Sequence, residues 1–217
     1  MIDFAELRER MIRRQLESRG IKDVAILEAF REVPREAFVS SDYAAAAYDD
    51  HPLPIEAGQT ISQPYIVALM IEAAEIGTGD KVLEVGAGSG YAAAVMSRIA
   101  REVVAIERQH DLVEVARERL RRLGYGNVKI VEGDGTRGYP DEAPFDAVLA
   151  AASGSHVPNP LIDQLAPGGR LVMPVGDPSW VQELVKVTKH ADGKTTQENL
   201  GGVRFVPLIG EEGWRDG

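Results

Sequence analysis

The chain of 217 residues contains no cysteine. Disulfide bonds, thiolate catalysis and cysteine-ligated metal centres are therefore excluded. Histidine is scarce as well, and His51, His110, His156 and His190 lie far apart, with no HxH or HxxxH spacing. Because metal sites usually draw on closely spaced ligands, we expect no metal site.

Basic residues are fewer than acidic residues. The sequence has 24 Lys and Arg against 34 Asp and Glu, a net charge of −10 at pH 7. Binding to a phosphate backbone usually requires a basic face, so we expect no nucleic-acid partner. One cluster of arginines at positions 117–122 is interleaved with Glu114 and Glu118. This pattern predicts a solvated helix face with ion pairs four residues apart.

Long apolar runs are also missing. No stretch approaches eighteen apolar residues, and the amino terminus lacks the basic start and apolar core of a signal peptide. We therefore expect a cytoplasmic protein without membrane segments. The 44% hydrophobic content is sufficient for a sizeable core. The length predicts a single domain over 1–217, with a helical cap at 1–57, an α/β core at 58–176 and C-terminal strands and tail at 177–217.

The first fifty residues show helical spacing of apolar side chains. Residues 3–19 predict one helix that ends at Gly20. Asp23 is a suitable cap for a second helix over residues 24–32, which Pro34 stops. The two prolines at positions 52 and 54 then interrupt regular structure. We expect a helical amino-terminal extension.

Short apolar runs then alternate with helical segments. The predicted strands are 81–85, 102–107, 128–132, 145–150 and 170–174, and the predicted helices are 65–75, 91–100, 110–123 and 160–165. Such alternation is typical of a doubly wound α/β fold, with a mostly parallel sheet covered on both faces. Residues 180–188 and 202–208 predict an antiparallel C-terminal pair of strands joined near Asp192-Gly193. After Gly210 we expect loose order.

A glycine-rich turn follows the first of these strands. Gly86, Gly88 and Gly90 stand at i, i+2 and i+4, with Ser89 between the last two. The missing Cβ atoms let a ligand approach the backbone, and the following helix offers unpaired amides. The pattern indicates a nucleotide site, although a tight strand-helix turn without a ligand stays an alternative.

Acidic residues help to distinguish the nucleotide. In the dinucleotide fingerprint the third glycine comes three residues after the second, whereas here it comes after two. Glu107 ends the next strand, where an acid can hold ribose hydroxyls of either ligand. Glu84 can face a cationic ligand, and Asp134-Gly135 can accept from an exocyclic amine. Alternatively, Glu107 is a helix-entry charge and Asp134 forms a turn.

Together these features resemble the S-adenosylmethionine-dependent methyltransferases of the Rossmann-like class. The resemblance implies that S-adenosyl-L-methionine is the cofactor. Glu107 would bind the ribose, and Asp134 with Gly135 the adenine end. Glu84 with Gly86 and Gly88 would line the methionine end, and Ser89 and Gly90 would also bind the cofactor.

A second polar segment, Thr60-Ile61-Ser62-Gln63-Pro64, precedes the glycine turn by about twenty residues. From the residues alone, Ser62 can simply cap the helix that starts near Pro64. The wider pattern resembles the bacterial type of the protein-L-isoaspartate (D-aspartate) O-methyltransferase family, from about residue 5 to 210. The segments that carry the resemblance are AYDDHPLPI (47–55), GQTIS (58–62), GSGY (88–91), PFD (144–146), QLAPGGR (164–170), PVG (174–176) and VRFVPLIG (203–210).

The family resemblance implies a repair methyltransferase whose partners are isoaspartyl peptides and damaged proteins. Ser62 would be the active-site serine, Thr60 and Ile61 would lie beside it in the substrate pocket, and Val206 would belong to the substrate wall. No Gly-x-Ser-x-Gly elbow surrounds Ser62, so we expect a hydroxyl donor and not a nucleophile. For Arg204 we expect a structural ion pair, and for the whole protein a monomer.

Three other interpretations stay open at this point. The first is a methyltransferase of the same fold that acts on a small molecule or on RNA. The second is a nicotinamide-dependent oxidoreductase, which the glycine spacing disfavours. The third is a binding protein that keeps the fold without turnover.

Overall fold

The computed structural model describes residues 2–215. Two short strands, β1 (Leu53–Pro54) and β2 (Thr60–Ile61), form a small antiparallel hairpin. The central sheet has seven strands in the order β5-β4-β3-β6-β7-β8-β9. They are β3 (Lys81–Val85), β4 (Glu102–Glu107), β5 (Val128–Glu132), β6 (Phe145–Ala150), β7 (Leu165–Val175), β8 (Gln182–Lys189) and β9 (Thr195–Val203).

Strands β3 to β7 run parallel, whereas β8 and β9 are antiparallel additions to β7. β3 and β4 are interior strands of the sheet, and all but the first residue of each is buried. A strand buried on both faces gives a continuous apolar run, so these bounds were predictable from the sequence. The predicted fold class, a mostly parallel doubly wound sheet with an antiparallel C-terminal pair, is confirmed.

Helices cover both faces of the sheet. They are α1 (Phe4–Met11), α2 (Val24–Glu32), α3 (Pro64–Ala73), α4 (Tyr91–Met96), α5 (His110–Leu123) and α6 (Asn159–Asp163). The helix predicted over residues 3–19 changes from α to π geometry at Ile12–Leu16 and to 3-10 geometry at Glu17–Arg19. Gly20 then ends it in a left-handed conformation, as predicted. Further 3-10 turns occupy Arg35–Phe38, Ser41–Ala46, Glu56–Gly58, Gly135–Arg137 and Pro140–Glu142.

The carboxyl-terminal part corrects two predictions. The second C-terminal strand lies at Thr195–Val203 and not at 202–208. β9 is an edge strand that is exposed along most of its length, so its polar residues carry no alternating pattern to recognise. The expected loose order after Gly210 is wrong for residues 211–214. There Glu211 N donates to Asp134 Oδ2 over 2.8 Å, and Trp214 Nε1 donates to Ser153 O over 2.9 Å.

The amino-terminal extension packs on the core at one defined place. The Tyr91 ring, at the start of α4, meets the edges of Phe38 and Phe30 with centroid distances of 5.5 and 6.2 Å. All three rings are fully buried. The extension therefore covers the residue that directly follows the glycine turn, and burying these rings contributes strongly to the hydrophobic stabilisation.

Asp23 offers a direct test of this extension, because its Oδ1 accepts from Ala25 N at 2.8 Å and Ile26 N at 3.3 Å. Asp23→Ala should lower the free energy of unfolding by about 1 kcal/mol, the usual contribution of such a cap. Asp23→Asn keeps the acceptor and should stay close to the parent. Urea denaturation measures all three proteins. An alanine variant as stable as the parent would show that the cap contributes nothing here.

Candidate active site

Parallel strands bring their carboxyl ends to one edge of the sheet, where ligands bind in open α/β folds. At this edge lies a cavity of about 210 Å³. Ten of the predicted site residues line it: Thr60, Ile61, Ser62, Glu84, Gly86, Gly88, Ser89, Glu107, Gly135 and Val206. The structure thus joins the two polar segments of the sequence, the glycine turn and residues 60–62, in one space. Gly90 and Asp134 do not line this cavity.

The glycine turn between β3 and α4 has a left-handed backbone. The φ angles of Gly86, Gly88 and Gly90 are +89°, +51° and +84°. L-residues with a side chain rarely adopt this conformation. A Cβ on Gly90 would also lie 3.2 Å from Leu120 Cδ1 of α5. Gly90 therefore serves packing between α4 and α5, while Gly86 and Gly88 open the backbone to the cavity.

Glu107, at the end of β4, ties the loops of the cavity together. Its Oε2 accepts from Gly88 N at 2.9 Å, and its Oε1 accepts from Arg108 N and Gln109 N at 2.9 and 3.0 Å. The carboxylate also lines the cavity. The geometry therefore fits both interpretations of Glu107, as a charge at the entry to a helix and as a ligand-binding acid. Its binding of a ribose stays a prediction.

Glu84 is a buried carboxylate with one oxygen that lacks a hydrogen-bond partner in the described chain. It is 2% exposed, and its Oε2 has no hydrogen-bond partner in the part of the chain described. Burial, and then the nearby charge of Glu107, raises the pKa of Glu84 well above its ordinary value. An unpaired carboxylate is costly to bury, whereas a cationic ligand in the cavity would supply its partner. The residues present therefore fit a ligand with a sulfonium or ammonium group.

Asp134 and Gly135 are adjacent in sequence but make different contacts. Gly135 lines the main cavity, and a Cβ there would come within 2.5 Å of Val85 Cγ1. Asp134 Oδ1 accepts from Thr136 N and Oγ1 at 2.9 and 2.7 Å, and its Oδ2 accepts from the tail. Burial raises the pKa of Asp134, but these hydrogen bonds outweigh it and hold the pKa below its usual range. Asp134 thus forms the turn and anchors the tail, and its contact with an adenine stays a prediction.

The segment at residues 60–62 also lines the cavity. Thr60 and Ile61 belong to β2, and Ser62 precedes α3. The residue that caps α3 is Gln63, and no side chain bonds to the helix end. The alternative that Ser62 serves as a helix cap is therefore wrong. Within residues 2–215 the Ser62 hydroxyl has no hydrogen-bond partner, so it is available to a ligand.

Val206 completes the wall. Its carbonyl accepts from Ser153 N over 2.8 Å, while its N–H donates to no group in the described chain. The neighbouring Arg204 is exposed and makes no ion pair with any of the described residues, so the structural ion pair expected for it is wrong. An unpartnered backbone amide and an unpartnered hydroxyl in one cavity suit an anionic or polar ligand.

Two arginines of the site were not recognised in the sequence. Arg119 is only 8% exposed, donates to Ser89 O over 3.0 Å and pairs with Glu56 at 3.2 Å. It therefore corrects the prediction of a solvated face for its cluster. The signal was its place in the apolar stripe of α5, seven residues after Leu112. The second is Arg35, which contacts the Ser62 carbonyl.

The exposed arginines of the same helix do form ion pairs. Arg117 pairs with Glu114 at 2.9 Å and Arg121 with Glu118 at 2.6 Å. Both pairs are three residues apart, whereas the sequence pattern predicted a spacing of four residues.

In the described part of the chain, no three His, Asp or Glu side chains cluster where they could hold a metal ion. No described helix has the length and apolar character that crossing a membrane requires.

The sheet, with its glycine turn and strand-end acids, has the architecture of the Rossmann-like methyltransferases that use S-adenosyl-L-methionine. A model of the protein-L-isoaspartate (D-aspartate) O-methyltransferase family matches residues 6–213. The chain belongs to this family. It is a methyltransferase that uses S-adenosyl-L-methionine, which removes the nicotinamide alternative.

Relatives along the whole chain agree. A protein-L-isoaspartate O-methyltransferase of Pelobacter propionicus is 56% identical over 95% of this chain and 92% of its own. One from Methanoculleus marisnigri is 52% identical over 96% of this chain and 94% of its own.

Two solved structures are similar in the same way. A protein-L-isoaspartate O-methyltransferase superposes with a TM-score of 0.87 at 34% identity, over 95% of this chain and 67% of that one. A candidate member from Plasmodium falciparum, in complex with S-adenosyl-L-homocysteine, gives 0.81 at 27% identity, over 96% and 99% of the two chains. Both similarities extend over nearly the whole of this chain.

The raised pKa of Glu84 predicts that replacing this carboxyl group stabilises the protein but weakens ligand binding. Because the folded protein holds the Glu84 proton more tightly than the unfolded chain does, the contribution of Glu84 to the stability of the cofactor-free protein falls as pH rises above about 4.3. Glu84→Gln should therefore be more stable than the parent at pH 8, with a smaller difference at pH 5. It should also bind S-adenosyl-L-homocysteine more weakly, because the neutral amide no longer attracts a cationic group.

Urea denaturation of the cofactor-free proteins at the two pH values, with calorimetric titration of the ligand, measures both effects. Equal stability at pH 8 together with parental affinity would contradict the assignment of Glu84.

Proposed function

We propose that this cavity transfers the methyl group of S-adenosyl-L-methionine to the free α-carboxylate of L-isoaspartyl residues in damaged proteins. The observation that carries the proposal is the meeting of two kinds of site in one cavity. Buried acids at the strand ends suit a cationic cofactor, and unpartnered donors at Ser62 and Val206 suit a carboxylate. Membership of the family supports the same reaction.

On the cofactor side, four elements would hold the ligand. Glu84 would face its cationic end, because its Oε2 has no other partner among the described residues. Glu107 would accept from ribose hydroxyls, and the backbone of Gly86 and Gly88 would allow close approach. Gly135 would border the adenine end, with Asp134 behind it. When bound, S-adenosyl-L-methionine supplies an electrophilic methyl group on a sulfonium.

On the substrate side, the chemistry demands little of the protein. An α-carboxylate has a pKa of roughly 3.5 and is ionised at neutral pH, so no general base is required. The carboxylate oxygen forms the new bond to carbon as the bond to sulfur breaks, and no proton moves. What the chain can contribute is alignment, worth up to about 7–11 kcal/mol in ideal cases. Exclusion of water from the carboxylate adds to this.

Ser62 would provide the alignment through a hydrogen bond from its hydroxyl group to one carboxylate oxygen. Thr60 and Ile61 would border the isoaspartyl residue, and the Val206 N–H would donate to the carboxylate as well. Both donors are neutral, which matters because the product ester is neutral as well. A permanent cation at this place would stabilise the bound substrate more than the transition state.

The later steps need no enzyme. The methyl ester would cyclise to a succinimide by attack of the neighbouring backbone nitrogen, with methanol leaving. Hydrolysis of the succinimide then returns part of the material to normal aspartate. The function proposed here ends at the ester.

Several finer expectations stay predictions. These are the cytoplasmic location, the monomeric state, the absence of a nucleic-acid partner and the division at residues 57 and 176. The excess of acidic over basic residues supports the third of them. The first two rest on the sequence alone.

Ser62→Ala tests the proposal at its centre. Loss of a hydrogen bond to a charged group costs about 1.5–3 kcal/mol, so kcat should fall roughly tenfold to a hundredfold. The affinity for S-adenosyl-L-homocysteine should stay near the parent's, because Ser62 lies on the substrate side. Steady-state methylation of an isoaspartyl peptide and calorimetry give the two numbers.

Ser18→Ala is the matched control. That serine is exposed and bonds only within its own helix, to Arg14 O over 2.6 Å. It should leave both numbers unchanged. If Ser62→Ala loses cofactor affinity as fully as turnover, the serine is structural and the proposed role is wrong.

A further inference from the structure

Arg35 is a fully buried cation without an acidic partner. It lies in the 3-10 turn Arg35–Phe38 of the amino-terminal extension and is 0% exposed. Its Nε donates to Ala47 O and its Nη2 to Ser62 O, each over 2.7 Å. The guanidinium also lies over the Tyr91 ring, 4.7 Å from its centroid. In residues 2–215 no carboxylate pairs with it, and its Nη1 has no hydrogen-bond partner.

Such a placement is costly. Burial lowers the pKa of Arg35, because removal from water disfavours the charged form. Buried charges in proteins are normally paired with an opposite charge, and apolar replacements of buried ionic groups are often neutral or stabilising. An apolar side chain would avoid this cost but would leave the carbonyls of Ala47 and Ser62 without this donor. The contacts of Arg35 point to another purpose.

Those contacts join three parts of the chain at the cavity. Ser62 precedes α3 without a side-chain anchor of its own, because its hydroxyl is unpartnered in the described chain. Arg35 fixes the Ser62 carbonyl from the side of the extension. Tyr91, under the guanidinium, directly follows the glycine turn. One planar group thus touches both the backbone of the substrate segment and the first residue of α4.

A second arginine anchors the same segment from the surface. Arg19 lies over the Tyr65 ring at 3.5 Å and pairs with Asp50 at 3.2 Å. Asp50 Oδ1 in turn accepts from Gln63 Nε2 over 2.7 Å. These contacts hold the residues after Ser62. Only Arg35 bonds to the Ser62 backbone itself, among the side chains described.

We propose that Arg35 is a positioning residue for methyl transfer. It holds the Ser62 backbone at a fixed place relative to the glycine turn, so that the hydroxyl meets the substrate carboxylate in line with the methyl group. Its charge is taken up by two carbonyls and an aromatic face, and it touches neither substrate nor cofactor. The inference rests on the role proposed for Ser62.

Arg35→Lys and Arg35→Met test the proposal, with Arg8→Met as the control. Arg8 lies in the same extension and bonds to Tyr48 Oη at 2.8 Å and Arg31 O at 2.8 Å, and it makes no hydrogen bond to the described residues 60–64. Both Arg35 variants should lose kcat for an isoaspartyl peptide by roughly tenfold to a hundredfold, the scale of a small misplacement. Lysine can reach one carbonyl and should lose less than methionine. Affinity for S-adenosyl-L-homocysteine should stay within about threefold of the parent.

The control should separate positioning from stability. Arg8→Met should unfold at a lower temperature yet keep the parental kcat in the folded protein.

A double variant tests whether Arg35 acts through Ser62. Because Arg35 acts through Ser62, Arg35→Lys should cost less in a Ser62→Ala background than in the parent. Multiplicative losses would show that Arg35 does not act through the serine.

Hydrogen exchange of residues 59–63 in the cofactor-free proteins gives a readout that does not depend on activity. Exchange should be faster in Arg35→Lys than in the parent and unchanged in Arg8→Met. Parental turnover and exchange in a folded Arg35→Met protein would overturn the proposal, as would losses that only follow the unfolded fraction. If the parent itself fails to methylate the peptide, the proposed function fails, and the exchange result still decides whether Arg35 holds the segment.

Discussion

The turn between β3 and α4 has a left-handed backbone at three glycines, and the geometry of the cavity depends on this constraint. The turn directs Gly88 N to the Glu107 carboxylate and lets α4 pack against Leu120 of α5. It also places Tyr91 where the amino-terminal extension buries it. A side chain at these positions would strain the backbone. Both halves of the site therefore depend on the same few residues.

The charges around the cavity follow a division of tasks. Carboxylates at the strand ends, Glu84 and Glu107, face the half assigned to a cationic cofactor. Neutral donors, the Ser62 hydroxyl and the Val206 N–H, line the half assigned to an anionic substrate. The two buried arginines stand behind the loops and bond to their carbonyls. This arrangement suits a reaction in which an anion and a cation become two neutral products, because fixed charges against the substrate would favour the bound reactants.

Much of this could be predicted from the sequence, for identifiable reasons. The bounds of β3, β4 and β6 follow from apolar runs buried on both faces, and the glycine turn follows from its spacing. The edge strand β9 was misplaced because it is exposed and polar, and the tail because single hydrogen bonds leave no sequence pattern. Arg35 and Arg119 were missed for a related reason. Their main partners are backbone carbonyls far along the chain, and a carbonyl has no residue type to recognise.

The central claim is that one cavity combines this cofactor with an isoaspartyl carboxylate. The most direct test is methyl transfer from radiolabelled S-adenosyl-L-methionine to a peptide with one isoaspartate, compared with its normal aspartyl twin. The account predicts label in the isoaspartyl peptide alone. Equal labelling of both peptides, or of neither while calorimetry shows the cofactor bound, would contradict it.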